Sequence, residues 1–155
     1  MNYSVLECRA VRPDLAEGLA RLFERLRDAG TENFFHPHPL TAEEALKRAN
    51  YQGRDLYYAL ADGMTMIGYG MLRGWDEGYE IPSLGLALDS SVRGHGYGRM
   101  FMHFLHAAAL RRGAKRIRLK VHRENVRGID LYKSLGYEFG QQEGSQLIGY
   151  LQLAA

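Results

Sequence analysis

Apolar residues recur at strand or helix spacing along the chain, in the order expected of a mixed α/β protein. Residues 3–9 alternate as a strand, with Val5 and then Cys8 as the inward positions. A first helix opens at Pro13 and ends near Gly30. Its apolar face consists of leucines at helical spacing, namely Leu15, Leu19, Leu22 and Leu26.

Residues 31–40 break this periodicity. Their prolines lack backbone donors and push the preceding residues out of the helical region, so we expect a stiff aromatic loop. Thr41 and Glu44 then form the capping-box pattern of a short second helix that fades near Asn50.

Three strands follow in the central part of the chain. Strands at 55–61 and 64–72 are joined by Asp62-Gly63, which is a strong hairpin signal. A further strand, at about 79–88, carries apolar residues on one face and small residues on the other. Pro82 within it predicts a bulge or a splayed edge.

The last third of the chain alternates helices and strands. A helix at about 97–112 is expected to turn four residues inward: Phe101, Phe104, Leu105 and Ala108. The strand 115–122 alternates cleanly, a helix at 125–135 stops at Gly136, and strands at about 137–141 and 146–153 finish the chain. The predicted fold class is mixed α/β.

The composition excludes several classes of protein. The chain has 155 residues, 46% hydrophobic and 25% charged, which predicts one packed domain over 1–155. A net charge of +2 argues against a nucleic-acid or membrane partner. We expect a cytoplasmic protein, because the sequence has a single cysteine, no secretory pattern at the N-terminus and no long apolar run.

A glycine-rich loop, residues 93–98, joins a predicted strand to a predicted helix. Backbone N–H groups and the helix dipole bind phosphate at such junctions, and glycine permits positive φ and close approach. Arg99-Met100 follows Gly98, which excludes a P-loop, and the Gly-x-Gly-x-Gly spacing differs from a dinucleotide-binding fingerprint. On the loop alone, a plain strand-to-helix turn stays open.

A second motif follows about thirty residues later. Residues 125–137 read Asn-x-x-Gly-x-x-Leu-Tyr-x-x-x-Gly-Tyr, and the loop reads Arg-x-x-Gly-x-Gly. Together they resemble the two signatures of the GNAT N-acetyltransferase superfamily, with Gly128 in place of the usual Ala. The resemblance implies the GNAT fold, whose central, mostly antiparallel sheet splays at its middle, and acetyl-CoA as the cofactor. It also makes a homodimer plausible.

The resemblance assigns residues to the cofactor. The implied contacts are Leu86, Ala87, Leu88, Arg93, Gly94, His95, Gly96, Tyr97, Gly98, Arg99, Asn125 and Tyr132. Asn125 would hydrogen-bond the pantetheine or the nearby phosphate arm, and Tyr132 would face the thioester sulfur. A phenol with a pKa near ~10 can protonate a departing thiolate at neutral pH. On composition alone Tyr132 would be interpreted as an ordinary core tyrosine, and only its place in the motif favours the acid role.

The acceptor is expected between the 31–40 loop and the 74–80 turn. These segments offer aromatic faces and carboxylates, and the predicted contacts are Phe34, Phe35, His36, His38, Trp75, Asp76, Glu77 and Glu80. They suit a small polar amine such as an amino sugar. A peptide N-terminus or a lysine side chain is the alternative acceptor.

The base that deprotonates the amine is not fixed by the sequence. His36, His38, Glu80 and water are candidates, and the predicted catalytic set is Tyr132, Glu80 and His36. A metal held by the two histidines is disfavoured because no third ligand lies at a recognisable spacing. The rival function is a non-catalytic acyl-CoA-binding regulatory module, against which the retained Tyr132 argues.

Overall fold

A seven-stranded sheet organises the structure, a computed structural model that describes residues 1, 3–35 and 37–153. The strands are β1 (Leu6–Ala10), β2 (Leu56–Asp62), β3 (Thr65–Arg73), β4 (Ser83–Leu88), β5 (Arg116–His122), β6 (Glu138–Glu143) and β7 (Gln146–Gln152). The α-helices are α1 (Ala16–Asp28), α2 (Ala42–Ala49), α3 (Tyr97–Arg111) and α4 (Val126–Ser134). Among the described residues, none of the helices has the length and apolarity that a membrane crossing requires.

The sheet changes character at its centre. Its order is β1-β2-β3-β4-β5-β7-β6, and neighbouring strands are antiparallel except for β4 and β5. Those two strands pair only at Ser83 with Arg118 and at Leu84 with Leu119, and then diverge. The predicted sheet, mostly antiparallel and splayed between the strands that end at Leu88 and His122, is confirmed.

Helices cover both faces of the sheet. On one face, α1 and α2 pack on residues such as Tyr57, Tyr69 and Met71 and form the first core. On the other, α3 packs on Leu60 and Leu84, among other residues, and forms the second core. The alternation of side chains along β3 and β4 separates the two cores, as the period of a strand requires.

Most predicted helical features are confirmed. All four leucines of the first apolar face are buried, and Thr41 Oγ1 accepts the Glu44 backbone N–H at 3.1 Å. In α3, Phe101 and Leu105 are fully buried, whereas Phe104 and Ala108 are half-buried.

Three predicted strand details are wrong. Val5 is exposed and lies before β1, which begins at Leu6. Asp62 pairs with Thr65, so the hairpin loop is Gly63-Met64 rather than Asp62-Gly63. Pro82 lies before β4 instead of inside it, and its carbonyl accepts the Arg118 N–H at 3.0 Å.

Candidate active site

The divergence of β4 from β5 opens a cleft of about 1580 Å³. Residues of the 93–99 segment and of the start of α4 line one end of the cleft. Residues of the 77–81 and 29–37 segments line the other end. Backbone that has left its ladder partner needs other partners for its polar groups. The cleft is therefore suited to a ligand that hydrogen-bonds a strand edge.

Glycines with positive φ shape the phosphate end of the cleft. Gly94 has φ 82° and Gly96 has φ 85°, both in the left-handed region where a side chain is strained. Gly96 caps the N-terminus of α3, and a Cβ at this position would meet no heavy atom within 4 Å. The first N–H groups of a helix bind anions, so this end of the cleft fits a pyrophosphate.

Two arginines fix the 93–98 loop, named the phosphate loop for its predicted ligand, and the turn that precedes it. Arg93 Nη2 donates to Thr31 Oγ1 at 3.3 Å and to the Leu88 carbonyl at 3.2 Å. Arg25 Nε donates to Asp89 Oδ2 at 2.8 Å. Burial raises the pKa of Asp89, but the hydrogen bonds from Arg25 and Ser91 outweigh it and lower the pKa overall. Asp89 therefore stays a carboxylate that holds the turn at residues 90–92, just before the loop.

The free edge of β4 faces the cleft. The Asp89 N–H donates to the Ile67 carbonyl of β3 at 2.9 Å. Backbone N–H groups alternate in direction along a strand, so those of Leu86 and Leu88 point toward the gap that β5 leaves. Both residues and Ala87 line the cleft.

Tyr132 lies on α4 and lines the same cleft. Its ring centroid is 5.9 Å from that of Tyr137. Burial raises the pKa of Tyr132 to about 12, so the phenol is protonated throughout the physiological range. Among the described residues its hydroxyl has no hydrogen-bond partner, and it is free to donate to a ligand.

Asn125 combines a structural contact with a place in the cleft. Its Oδ1 accepts the Gly128 N–H at 3.1 Å, which caps α4. A Cβ at Gly128 would lie 2.7 Å from Asn125 Nδ2. The glycine that replaces the usual alanine therefore accommodates this rotamer of the capping asparagine.

The structure brings most of the predicted site residues together. Those that line the cleft are Phe34, Phe35, Glu77, Glu80, Leu86, Ala87, Leu88, Arg93, Gly94, Gly96, Gly98, Arg99, Asn125 and Tyr132. His95 and Tyr97 belong to the loop but are not in the lining. His36 lies outside the described residues, so its predicted catalytic and substrate-binding roles stay predictions.

His38 corrects the acceptor prediction. Its side chain is only 5% exposed and packs between Phe23 and Phe35 in the first core. Its Nε2 lies 2.8 Å from the Tyr69 hydroxyl, and burial lowers its pKa. The ring is therefore a neutral core group that fixes the base of the 31–40 loop and does not line the cleft.

Trp75 and Asp76 also have structural places instead of the predicted acceptor contacts. Trp75 packs against the second core, with the Arg112 guanidinium 5.1 Å from its ring centroid. Asp76 accepts the Tyr51 hydroxyl and the Arg54 N–H, and the Tyr51 hydrogen bond is the main cause of its lowered pKa. The two residues hold the 74–78 turn, and neither lines the cleft.

Sequence analysis gave no acceptor role to a row of cleft residues that crosses four strands. Arg73, Ser83, Arg118 and Tyr150 are register partners on β3, β4, β5 and β7, and all line the cleft. Their only sequence signal is that each occupies a polar position on an otherwise apolar or alternating strand. Their proximity depends on strand register and order.

Comparison with known proteins agrees with this geometry. The sequence profile described as "Acetyltransferase (GNAT) family" matches residues 19–137. No curated protein sequence matches the chain significantly.

Solved structures share the fold at low sequence identity. The GNAT domain of S. lividans PAT has a TM-score of 0.80 at 16% identity, over 96% of this chain and 90% of that one. The ribosomal-protein-S18-alanine N-acetyltransferase from Escherichia coli has 0.74 at 17%, over 97% and 96%. The PaiA N-acetyltransferase from Thermoplasma acidophilum, in complex with coenzyme A, has 0.73 at 19%, over 96% and 99%. Since the family profile spans most of the chain, this protein belongs to the GNAT acetyltransferase family.

Proposed function

We propose that this protein transfers the acetyl group of acetyl-CoA directly to a primary amine in a ternary complex, and that the amine is a small polar one such as an amino sugar. One observation carries the proposal. The phosphate loop, the free edge of β4 and the unpartnered Tyr132 hydroxyl all open into a single cleft. The family and the CoA complex of a similar structure support the choice of acyl donor.

The residues of the cleft divide the work of binding. Gly96 and the N-terminus of α3 hold the pyrophosphate, and Asn125, which lines the same cleft, contacts the adjoining arm. Acetyl-CoA supplies, when bound, an acetyl thioester whose carbonyl carbon an amine can attack. The N–H groups of Leu86 and Leu88 are directed toward the gap, where they stabilise negative charge that develops on the carbonyl oxygen.

Proton movements complete the reaction. An ammonium has no lone pair, so the amine loses a proton before or during attack. Glu80 lines the acceptor end of the cleft and accepts this proton directly or through water. As the new N–C bond forms and the C–S bond breaks, Tyr132 would donate its phenolic proton to the sulfur, and the phenolate would be reprotonated through water by a proton that the amine releases.

A peptide N-terminus is the second candidate acceptor. The Escherichia coli neighbour is named for acetylation of an alanine of a ribosomal protein, and residues 77–80, which line the cleft, are exposed. The exposed Phe34 and Tyr79 at this end offer surfaces that a peptide could contact. This candidate shares the donor site and the Tyr132 chemistry and differs only in the acceptor.

A cytoplasmic location and a homodimer are retained as predictions.

Thiol release from acetyl-CoA tests the proposal. The protein is incubated with acetyl-CoA and, separately, with amino sugars, short peptides with free N-termini, and simple alkylamines. We expect thiol release that depends on an amino sugar and a product of the corresponding acetylated mass. Turnover confined to peptides would select the second candidate, and binding of acetyl-CoA without turnover on any amine would favour a regulatory module.

A further inference from the structure

Two arginines lie on the acceptor side of the cleft without an acidic partner. Arg73 and Arg118 are both half-buried and both line the cleft. Within residues 1, 3–35 and 37–153, neither forms an ion pair, whereas Arg25 and Arg48 pair with Asp89 and Glu44. Partial burial weakens the screening of a charge by water, so an anion bound in the cleft would interact with these two arginines more strongly than with exposed ones.

The register of the sheet aligns the two arginines. Ser83 pairs with Arg73 on one side and with Arg118 on the other. Register partners share a face of the sheet, and adjacent strands are about 4.8 Å apart, so the two arginine Cα atoms are separated by roughly 10 Å. Two flexible guanidinium groups at that separation can converge on one anionic group above Ser83.

Both guanidinium groups retain free donors. Arg73 Nη1 donates to the Pro37 carbonyl at 2.8 Å, and Arg118 Nη1 donates to Ser83 Oγ at 3.3 Å. A guanidinium carries five N–H donors, so these single contacts orient each group and leave most of its donors for a ligand. The fork geometry of arginine matches a carboxylate or a phosphate.

The other charged residues that line the cleft lie at its far end or have other assignments. Four of them belong to the 93–99 segment or lie around the start of α4, at the opposite end of the cleft: Arg93, Arg99, Glu124 and Arg127. Lys120 is paired with Glu143 at 3.1 Å. Glu77 and Glu80 lie in the 74–80 turn that follows Arg73 along the chain and offer negative charge to an amine. The acceptor end of the cleft therefore carries a carboxylate side for the amine and a guanidinium pair for an anion.

We propose that the acceptor amine also carries an anionic group, a carboxylate or a phosphate, which Arg73 and Arg118 bind together. The assignment of this ligand as the acceptor rests on the proposed function, whereas the anion site rests on the two arginines alone. A neutral amino sugar would leave the pair unmatched. A phosphorylated amino sugar or an amino acid would match it.

Matched amine pairs test the site by turnover. Glucosamine is compared with glucosamine 6-phosphate, and alaninamide with alanine, which separates phosphate from carboxylate. We expect kcat/KM to be at least about 10-fold higher for the anionic member of one pair, since charge-assisted hydrogen bonds are worth this much or more. In Arg118→Met the ratio of anionic to neutral kcat/KM should fall about 10- to 100-fold. Arg73→Lys, which keeps the charge and loses the fork, should lower the ratio less. The control is Arg111→Met, at the exposed end of α3.

A binding measurement separates this proposal from the proposed function. Calorimetry on the protein saturated with CoA, whose own phosphates then occupy the loop, measures the affinity of glucosamine 6-phosphate and of alanine. The anion site is supported, even if no amine is acetylated, when the affinity for one of these compounds falls at least about 10-fold in Arg118→Met and does not fall in Arg111→Met. Equal use of neutral and anionic amines, or anion binding that is indifferent to Arg118, would overturn it.

Discussion

Removal of the Tyr132 hydroxyl is the sharpest perturbation of the proposed chemistry. The hydroxyl has no hydrogen-bond partner among the described residues, so Tyr132→Phe leaves no buried group unsatisfied, and the ring keeps its contact with Tyr137. We therefore expect the unfolding temperature to stay within about 2 °C of the wild type, and acetyl-CoA to bind within a few-fold. The rate of acetyl transfer should fall by roughly 10²–10⁴, the usual contribution of a positioned acid.

Single-turnover acetyl transfer is the appropriate assay, because product release can limit kcat and mask a chemical effect. Burial raises the pKa of Tyr132 to about 12, so the phenol stays protonated and its ionisation should produce no fall in wild-type rate up to about pH 10. Equal single-turnover rates for wild type and Tyr132→Phe, with folding intact, would refute the role of the hydroxyl. An alkaline decline below pH 10 that disappears in the variant would refute the pKa reasoning.

Three further predictions concern the cofactor loop, the base and a buried histidine. Gly96→Val should remove most of the rise in melting temperature that acetyl-CoA causes. Gly113→Val is the control, because Gly113 has φ 87° against 85° at Gly96 and equally open space, and it should lose stability without losing that rise. Similar shifts in both variants would mean that the loop does not bind the cofactor. Glu80→Gln should lower kcat/KM for the amine about 10- to 100-fold at pH 7 with little change in the KM of acetyl-CoA. A loss of acetyl-CoA binding alone would mean that Glu80 does not act at the acceptor end of the cleft. Burial lowers the pKa of His106 from 6.5 to about 4, so protonation favours the unfolded chain. The free energy of unfolding of the wild type should therefore fall by up to about 2–3 kcal/mol through this group as pH falls from 6.5 to 4. Denaturant titrations should show a smaller fall for His106→Gln than for the wild type or His95→Gln, and an unchanged fall would contradict the pKa shift.

Local patterns were sufficient where a neighbouring residue decides the conformation. Thr41 caps α2 and Asn125 caps α4, because a side chain reaches an N–H three residues ahead. The left-handed Gly96 follows the same logic, since only glycine tolerates that φ at little cost. These short-range devices fix the phosphate loop and the helix that carries Tyr132, which is why the donor end of the cleft could be predicted.

Longer-range packing decided the rest. His38 belongs to the proline-rich 31–40 loop, yet its ring contacts Tyr69 on β3, thirty-one residues later, and packs in the core. Asp76 was predicted to face the acceptor, but the distant Tyr51 and Arg54 hold it in the turn. Arg73 and Arg118 become neighbours of Ser83 only through strand order and register, which no local pattern encodes. The acceptor end of the cleft was therefore the part least accessible to sequence.

A crystal structure with bound CoA and an acetylatable amine would test the proposed acetyl transfer at the level of atoms. We predict that the pyrophosphate lies at the N-terminus of α3 against Gly96, and that the sulfur lies at hydrogen-bond distance, about 3.5 Å or less, from the Tyr132 hydroxyl. The amine should lie on the far side of the thioester, between Glu80 and the β4 edge. CoA bound outside the gap between β4 and β5, or a sulfur directed away from Tyr132, would contradict the proposed mechanism.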